Sequence, residues 1–279
     1  MNSPELSIIV TSYKNPELLR ICLDSIKKNV KDIDYELIVV DSATEEDTEM
    51  MMREHFPNDK FFSFKKNVGF QSLVKKGIEE SEAKFMLILN GDIIIKENSV
   101  EKLLEYIKKN PSVGLVGPKL LSFNGKFQAS CFRYYKPITI IYRRTFLGKM
   151  WFAKKHLGEF LMEDYDHKDP EGVDWIMGSA MMMPRSAVEK VGYMDPQFFM
   201  YMEDVDWCRR FWENGLRVVY VPEAIMLHYH GKGSGKSGLL KSVMFNRLTW
   251  IHIVSALKYF KKYLGKPNPR KIFEKTNGE

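Results

Sequence analysis

A chain of 279 residues can bury one sizeable core and fits one or two domains. With 44% hydrophobic and 13% aromatic residues, general disorder is excluded. The net charge of +6 is uneven: residues 232–279 hold eleven basic and two acidic side chains, a balance of +9, whereas the preceding 231 residues, with 31 basic and 34 acidic, carry −3. A further block, Tyr106 to Gly158, has eleven Lys or Arg and no acid, an electrostatic footprint for an anionic partner unless it is a solvated lysine-rich surface. Cys22, Cys131 and Cys208 offer neither a zinc pattern nor a disulfide framework, which favours a reducing compartment. The first apolar run, Ile8 to Val10, is too short for a signal peptide. No run reaches the roughly 18 apolar residues that span a bilayer, so a cytoplasmic protein is expected.

In chain order, short aliphatic runs at Leu6–Thr11, Glu36–Asp41, Phe61–Phe64, Phe85–Asn90 and Gly114–Gly117 predict strands. Between them, Leu18, Leu19, Cys22, Leu23 and Ile26 give Pro16–Asn29 a helical spacing. Val100, Leu103, Leu104 and Ile107 do the same for 99–109, with Asn98 or Ser99 as N-cap. Strands alternating with helices imply βαβ units and a mostly parallel sheet. In such sheets ligands bind beyond the carboxyl ends of the strands, where the polar residues Thr11-Ser12-Tyr13, Asp41-Ser42 and Asn90-Gly91-Asp92 sit. Residues 123–170 read as a loop-and-helix insertion. Val173–Met183 reads as one strand, Ser186–Lys190 and Val205–Asn214 as helices ended by Gly192 and Gly215, and Val218–Val221 as a short strand. The glycine-rich run 231–238 suggests a boundary, dividing a catalytic body 1–231 from a basic, mostly helical extension 232–279.

Three groups carry chemistry. Asp92 follows an apolar strand in "LILNGD" and is either a turn former or a hard oxygen ligand for Mg²⁺ or Mn²⁺. Glu203, Asp204 and Asp206 gather at a helix start, where capping accounts for one carboxylate more easily than for three; the helix N-terminus is expected to keep a base ionised. His228 and His230, at alternate positions, would share a strand face, a weak metal signal. The string Gly233–Gly238 matches a dinucleotide-binding pattern but does not follow a first strand. A P-loop fails because His230 stands where its first glycine is required. Lys232 and Lys236 are retained as cations for phosphate on a closing loop.

Taken together, "SIIVTSYKN", "YELIVVDSAT", "NVGF", "LILNGD", "VDWIMGSAMMMPR", "GYMDPQFFMYMEDVDWCRR" and "HYHGKGSG" resemble, in order and spacing, the family 2 glycosyltransferases, in particular their rhamnosyltransferase-like branch. The resemblance spans roughly residues 5–236. It implies a GT-A, Rossmann-like α/β fold, a mixed and mostly parallel sheet flanked by helices, with a C-terminal helical extension. By the same resemblance, Thr11, Ser12, Tyr13, Asp41, Asn67, Gly69 and Asn90 would bind the nucleotide-sugar donor. Asp92 would hold Mg²⁺ or Mn²⁺ with His228, and Asp204 would be the catalytic base with Glu203 beside it. Asn90 replaces the first aspartate of the family's Asp-x-Asp motif, and Leu73 and Lys75 stand where Gly and Asn are frequent, which leaves base and sugar preference open.

The implied reaction is an inverting, metal-dependent transfer from dTDP-rhamnose or a UDP-sugar to a saccharide or polyprenyl-diphosphate-linked acceptor, in cell-surface polysaccharide synthesis. The tail sequence "WIHIVSALKYFKK", with Ile251, Val254, Leu257 and Lys258 at helical spacing, would lie on an anionic membrane surface at the inner face of the cytoplasmic membrane, or else pack on the body or on a second subunit in a homodimer. A nucleic-acid-binding protein would explain the basic tail but not Asp92, the acidic cluster and His228 together, so no nucleic-acid partner is expected. A non-catalytic nucleotide-sugar-binding subunit is the other alternative. A nucleotidyltransferase would also use a Rossmann-like sheet and Mg²⁺, but the chain has no glycine-rich, lysine-bearing phosphate signature after its first strand.

Overall fold

The computed structural model describes residues 3–229 and 247–278. The first half winds as β1 (Leu6–Tyr13), α1 (Pro16–Asn29), β2 (Tyr35–Ser42), α2 (Glu46–His55), β3 (Lys60–Phe64), α3 (Phe70–Glu79) and β4 (Phe85–Asn90). These strands pair in parallel, β2 beside β1 and β3, and β1 beside β4. Next come β5 (Ile93–Ile95), α4 (Ser99–Lys109), β6 (Val113–Leu121), β7 (Phe127–Gln128) and β8 (Cys131–Phe132), then α5 (Pro137–Arg144) and α6 (Trp151–Phe160). The chain continues through β9 (Glu171–Gly172), β10 (Trp175–Ile176), β11 (Ala180–Pro184), α7 (Arg185–Val191), α8 (Glu203–Glu213) and β12 (Arg217–His228). Two tail helices follow, α9 (Arg247–Lys262) and α10 (Pro269–Asn277). The main sheet runs β3-β2-β1-β4-β11-β6-β12-β5, and β11 is antiparallel to both neighbours. The expected mixed, mostly parallel sheet flanked by helices is therefore present.

Alternating side chains of β1 divide the core. Leu6, Ile8 and Val10 pack with α1, α2 and α4 on one face, while Ile9 packs with α3, α7 and α8 on the other. Both faces are covered, which is why these strands read as continuous apolar runs. Helices α1 and α4 match their predicted spans because each carries a strong one-sided apolar stripe.

Two strand predictions are corrected. Val173–Met183 is not one strand: Trp175–Ile176 pairs with Cys131–Phe132 in a separate small sheet, residues 177–179 turn, and β11 begins at Ala180. The predicted Val218–Val221 is one end of the twelve-residue β12, whose register shifts between Val221 and Ile225, around Pro222, before reaching His228. The expected boundary at 231/232 lies outside the described residues.

The tail is clamped to α8. Ala256, Tyr259 and Tyr263 join the core that holds Trp207 and Phe211. Asp206, fully buried, accepts from Arg210 Nε at 2.9 Å, Lys262 Nζ at 2.5 Å and Tyr263 Oη at 2.8 Å. Lys262 also bonds Asp195 at 2.6 Å. Asp206 is thus a structural acid. Asp206→Ala, which removes the buried carboxylate shared by Arg210, Lys262 and Tyr263, is expected to cost about 3–5 kcal/mol, read as a lowered urea midpoint.

Candidate functional site

Beyond the carboxyl ends of β1 and β4 lies a cavity of about 520 Å³. Its walls include Thr11, Ser12 and Tyr13 from the end of β1, Asn67 and Gly69 from the turn into α3, and Asn90 and Asp92 from the turn after β4. Glu203 and Asp204 at the start of α8 and His228 at the end of β12 complete the set. Ten of the predicted site residues therefore share one cleft, although their sequence positions run from 11 to 228. Asp41 does not line it: the side chain is fully buried at the end of β2, and Ser42 takes the wall position. Lys232, Lys236 and His230 lie outside the described residues.

Local bonding explains these placements. Asn67 Oδ1 accepts from Gly69 N at 3.0 Å, an Asx turn, and Ser42 Oγ accepts from Val68 N at 3.0 Å. Gly69 has φ +83°, and a β-carbon there would lie 2.5 Å from the Phe199 carbonyl oxygen, so both conformation and space demand glycine. Thr11 Oγ1 donates to Asn90 Oδ1 at 3.2 Å, and Gly91 N donates to the Thr11 carbonyl at 2.8 Å, which ties the first two strand ends together. The Asn-Gly turn and the cleft position are both real: the turn reverses the chain into β5 and presents Asp92.

Asp204 is held by two backbone donors, Gly178 N to Oδ2 at 3.1 Å and Val205 N to Oδ1 at 2.9 Å. Burial raises its pKa nonetheless, so the expected benefit of the helix start is outweighed by desolvation, with the two N–H groups moderating the rise. Glu203 is raised further, by burial first and then by the Asp204 charge. Of the pair, Asp204 is the one that ionises first. Burial also raises Asp41, whose two oxygens have no hydrogen-bond partner among the described residues.

His228 Nε2 lies 3.5 Å from Asp92 Oδ2. Asp92 Oδ1 is buried without a hydrogen-bond partner among the described residues. A carboxylate oxygen with no donor beside an imidazole suits a divalent cation, provided diphosphate and water oxygens fill the remaining positions. Among the described residues no third His, Cys, Asp or Glu joins them.

Sequence reasoning missed several parts. Gly178 holds the Asp204 carboxylate and sits in the quoted "WIMGSA" segment, which was the available signal. Tyr201 and Met202 adopt positive φ, 69° and 68°, immediately before α8. The Tyr201 ring stacks on His252 at 4.7 Å, and the Met200 carbonyl accepts from Ser255 Oγ at 2.9 Å, so α9 braces the cleft rim. That such an unfavourable pair of residues is held there is the kind of backbone strain found at functional sites.

A doubly covered, mostly parallel sheet with a carboxylate-bearing turn after β4 and a carboxylate pair opening a helix across the cleft is the GT-A arrangement. The solved structure of GalNAc-T7 with UDP, GalNAc and Mn²⁺ superposes with a TM-score of 0.62 at 14% identity, covering 99% of this chain and 55% of that one. The family "Glycosyltransferase like family 2" matches residues 4–251, and the chain belongs to it. Similar proteins include the N-acetylglucosaminyl-diphospho-decaprenol L-rhamnosyltransferase of Mycobacterium tuberculosis, 24% identical over 78% of this chain and 74% of that protein. Rhamnosyltransferase WbbL of Escherichia coli is 26% identical over 80% and 82%, and the dTDP-rhamnosyl transferase RfbF of Shigella flexneri is 24% identical over 85% and 72%.

Proposed function

We propose that this family 2 glycosyltransferase moves rhamnose from dTDP-rhamnose to a hydroxyl of a diphosphate-linked saccharide, by one inverting displacement that depends on a divalent cation. The observation that carries this reading is the shared cleft, with Asp92 and His228 facing it from one set of elements and the doubly held Asp204 carboxylate from another. Asp204 takes the proton of the acceptor hydroxyl as its oxygen attacks the anomeric carbon. Glu203, whose protonated form is favoured by burial and by its neighbour's charge, shapes the base beside it. Asp92 and His228 would hold Mg²⁺ or Mn²⁺, which when bound supplies charge neutralisation to the leaving diphosphate. The names of the three relatives support rhamnose, one of them dTDP, and one a polyprenyl-diphosphate acceptor.

A thermal-shift panel of dTDP, UDP, GDP and ADP with Mn²⁺ tests the donor. Stabilisation by dTDP above the others is expected, and a panel in which no nucleotide stabilises the protein overturns the reading.

Membrane association follows from the same acceptor. On α9 most of the predicted stripe turns outward: Val254 and Leu257 are 45% and 64% exposed, Lys258 is exposed and Ile251 half-buried, with Trp250 beside them at 53%, while Ala256 and Tyr259 face the core. Phe146, just after α5, and Trp151, the first residue of α6, are 78% and 79% exposed and stand in the acid-free basic block. Aromatic tips among Lys and Arg suit the interface of an anionic bilayer. No described helix is long and apolar enough to cross a membrane. Flotation with vesicles containing phosphatidylglycerol is expected to carry the protein upward at low salt and release it at high salt; protein left at the bottom at low salt defeats this part.

A further inference from the structure

The His228 ring is gripped on both sides. Its Nε2 faces Asp92, and its Nδ1 lies 2.9 Å from the side-chain amide nitrogen of Gln128. Gln128 belongs to β7, which pairs with β6 at Leu120, and His228 ends β12, which pairs with the other edge of β6 up to Leu121. One strand therefore sets the spacing between the two side chains, although they lie 100 residues apart. The nitrogen and oxygen of a glutamine amide exchange places by a half-turn that leaves the other atoms where they are. With nitrogen toward the ring, the amide donates to Nδ1. The ring proton is then on Nε2, pointing at Asp92, and the ring cannot ligate a cation there. With oxygen toward the ring, the amide accepts from Nδ1–H, and the Nε2 lone pair faces the Asp92 carboxylate. In the first orientation Gln128 Oε1 is buried and meets no donor among the described residues, so no donor among them holds the amide that way round.

We infer that Gln128 is a positioning residue for the cation site, turning its amide to switch His228 between a tautomer paired with Asp92 and a tautomer open to the metal. This rests on the proposed role of Asp92 and His228. A ligand imidazole needs its second nitrogen anchored, and loss of such an anchor commonly lowers metal affinity by about 10–100-fold. With no cation bound, the Nε2 proton is directed at Asp92 Oδ2 while Gln128 Oε1 meets no donor among the described residues, so a bound cation favours the turned amide.

Long-range ¹H–¹⁵N correlation on ¹⁵N-histidine-labelled protein reads the tautomer directly. Metal-free wild type is expected to carry its His228 proton on Nε2, and Mg²⁺ with dTDP is expected to move it to Nδ1. Gln128→Glu, whose side chain accepts and cannot donate, is expected to place a proton on Nδ1 with no cation present. Gln128→Leu is expected to bind Mn²⁺ about 10–100-fold more weakly than wild type, by titration followed with electron paramagnetic resonance, with an unchanged melting profile. An Nδ1 that stays unprotonated in Gln128→Glu overturns the inference, as does wild-type Mn²⁺ affinity in Gln128→Leu. Absence of Mn²⁺ binding by wild type with dTDP is a different failure: it overturns the proposed cation role and the switch with it.

Discussion

Asp204→Asn is expected to lower turnover by about 10²–10⁴-fold while leaving dTDP affinity unchanged, the range of a general base removed from a group transfer. The substitution keeps shape and volume but cannot take a proton. It also presents an amide nitrogen to one of the two N–H donors, from Gly178 or Val205, that the carboxylate accepts, so a modest loss of local order is expected beside the chemical one. Glu203→Gln should cost far less, because burial and the Asp204 charge favour the protonated form of Glu203, which glutamine mimics. Single-turnover rates with saturating donor separate the two variants, and calorimetry with dTDP checks binding. The pH profile gives a second reading. Burial raises the Asp204 pKa, so activity should rise with pH along an acid limb that lies above the ordinary carboxylate range and belongs to the Glu203–Asp204 pair as a unit. Stability should move the opposite way. Both carboxyls bind protons more tightly in the folded than in the unfolded chain, so folding stability falls as pH climbs from the ordinary carboxylate range through the raised values. Equal turnover in Asp204→Asn and wild type would transfer the base role elsewhere in the cleft.

The doubly wound half of the fold was legible because its helices bury one face. Leu19, Cys22, Leu23 and Ile26 on α1, and Val100, Leu103, Leu104 and Ile107 on α4, repeat at 3.6 residues and are buried. Helix α2 went unread because Glu46, Asp47, Glu49 and three consecutive methionines blur its stripe, with only Thr48, Met51 and Met52 buried. The strand predicted over 173–183 failed for a functional reason. The largely apolar segment, broken only by Asp174, Gly178 and Ser179, hid the turn at Met177-Gly178, which leaves the sheet where Gly178 N reaches Asp204. Local pattern and site geometry disagree there, and the site prevails.

Most of the site was readable from strand and helix ends, since topology alone sends those ends to one edge of the sheet. What escaped was whatever arrives from far along the chain. Gln128 sits on a two-residue strand with no periodicity to mark it, and its partner is 100 residues away. The brace from α9 escaped for the same reason: nothing in "WIHIVSALKYFKK" announces that His252 stacks on Tyr201 or that Lys262 reaches Asp206. The tail's charge was visible, its division of labour was not. Lys262 and Arg270 are spent on buried or half-buried acids of the body, while Val254 and Leu257 are left facing outward.

Asp92→Ala is expected to abolish the cation dependence of nucleotide binding. In wild type, Mn²⁺ should tighten dTDP by a large factor relative to chelator, because a cation held by Asp92 would supply the charge neutralisation that a carboxylate near a diphosphate needs. In the variant the affinities with Mn²⁺ and with chelator should coincide, at least 10–100-fold weaker than wild type with Mn²⁺, a range already reached when mere outer partners of a metal ligand are removed. Without metal the sign reverses. Asp92 Oδ1 is buried without a hydrogen-bond partner among the described residues, and the carboxylate faces the cleft, so removing its charge should leave dTDP binding in chelator equal to or slightly tighter than wild type. The backbone should hold, since the Asp92 carbonyl, which alanine retains, is what accepts from Tyr229 N at 3.0 Å. The crossing of the two comparisons distinguishes a lost ligand from a damaged pocket, because damage would weaken dTDP in both buffers. Calorimetric titrations in Mn²⁺ and in chelator, on wild type and variant, decide the matter, and Mn²⁺-dependent tightening that persists in Asp92→Ala removes Asp92 from the metal site.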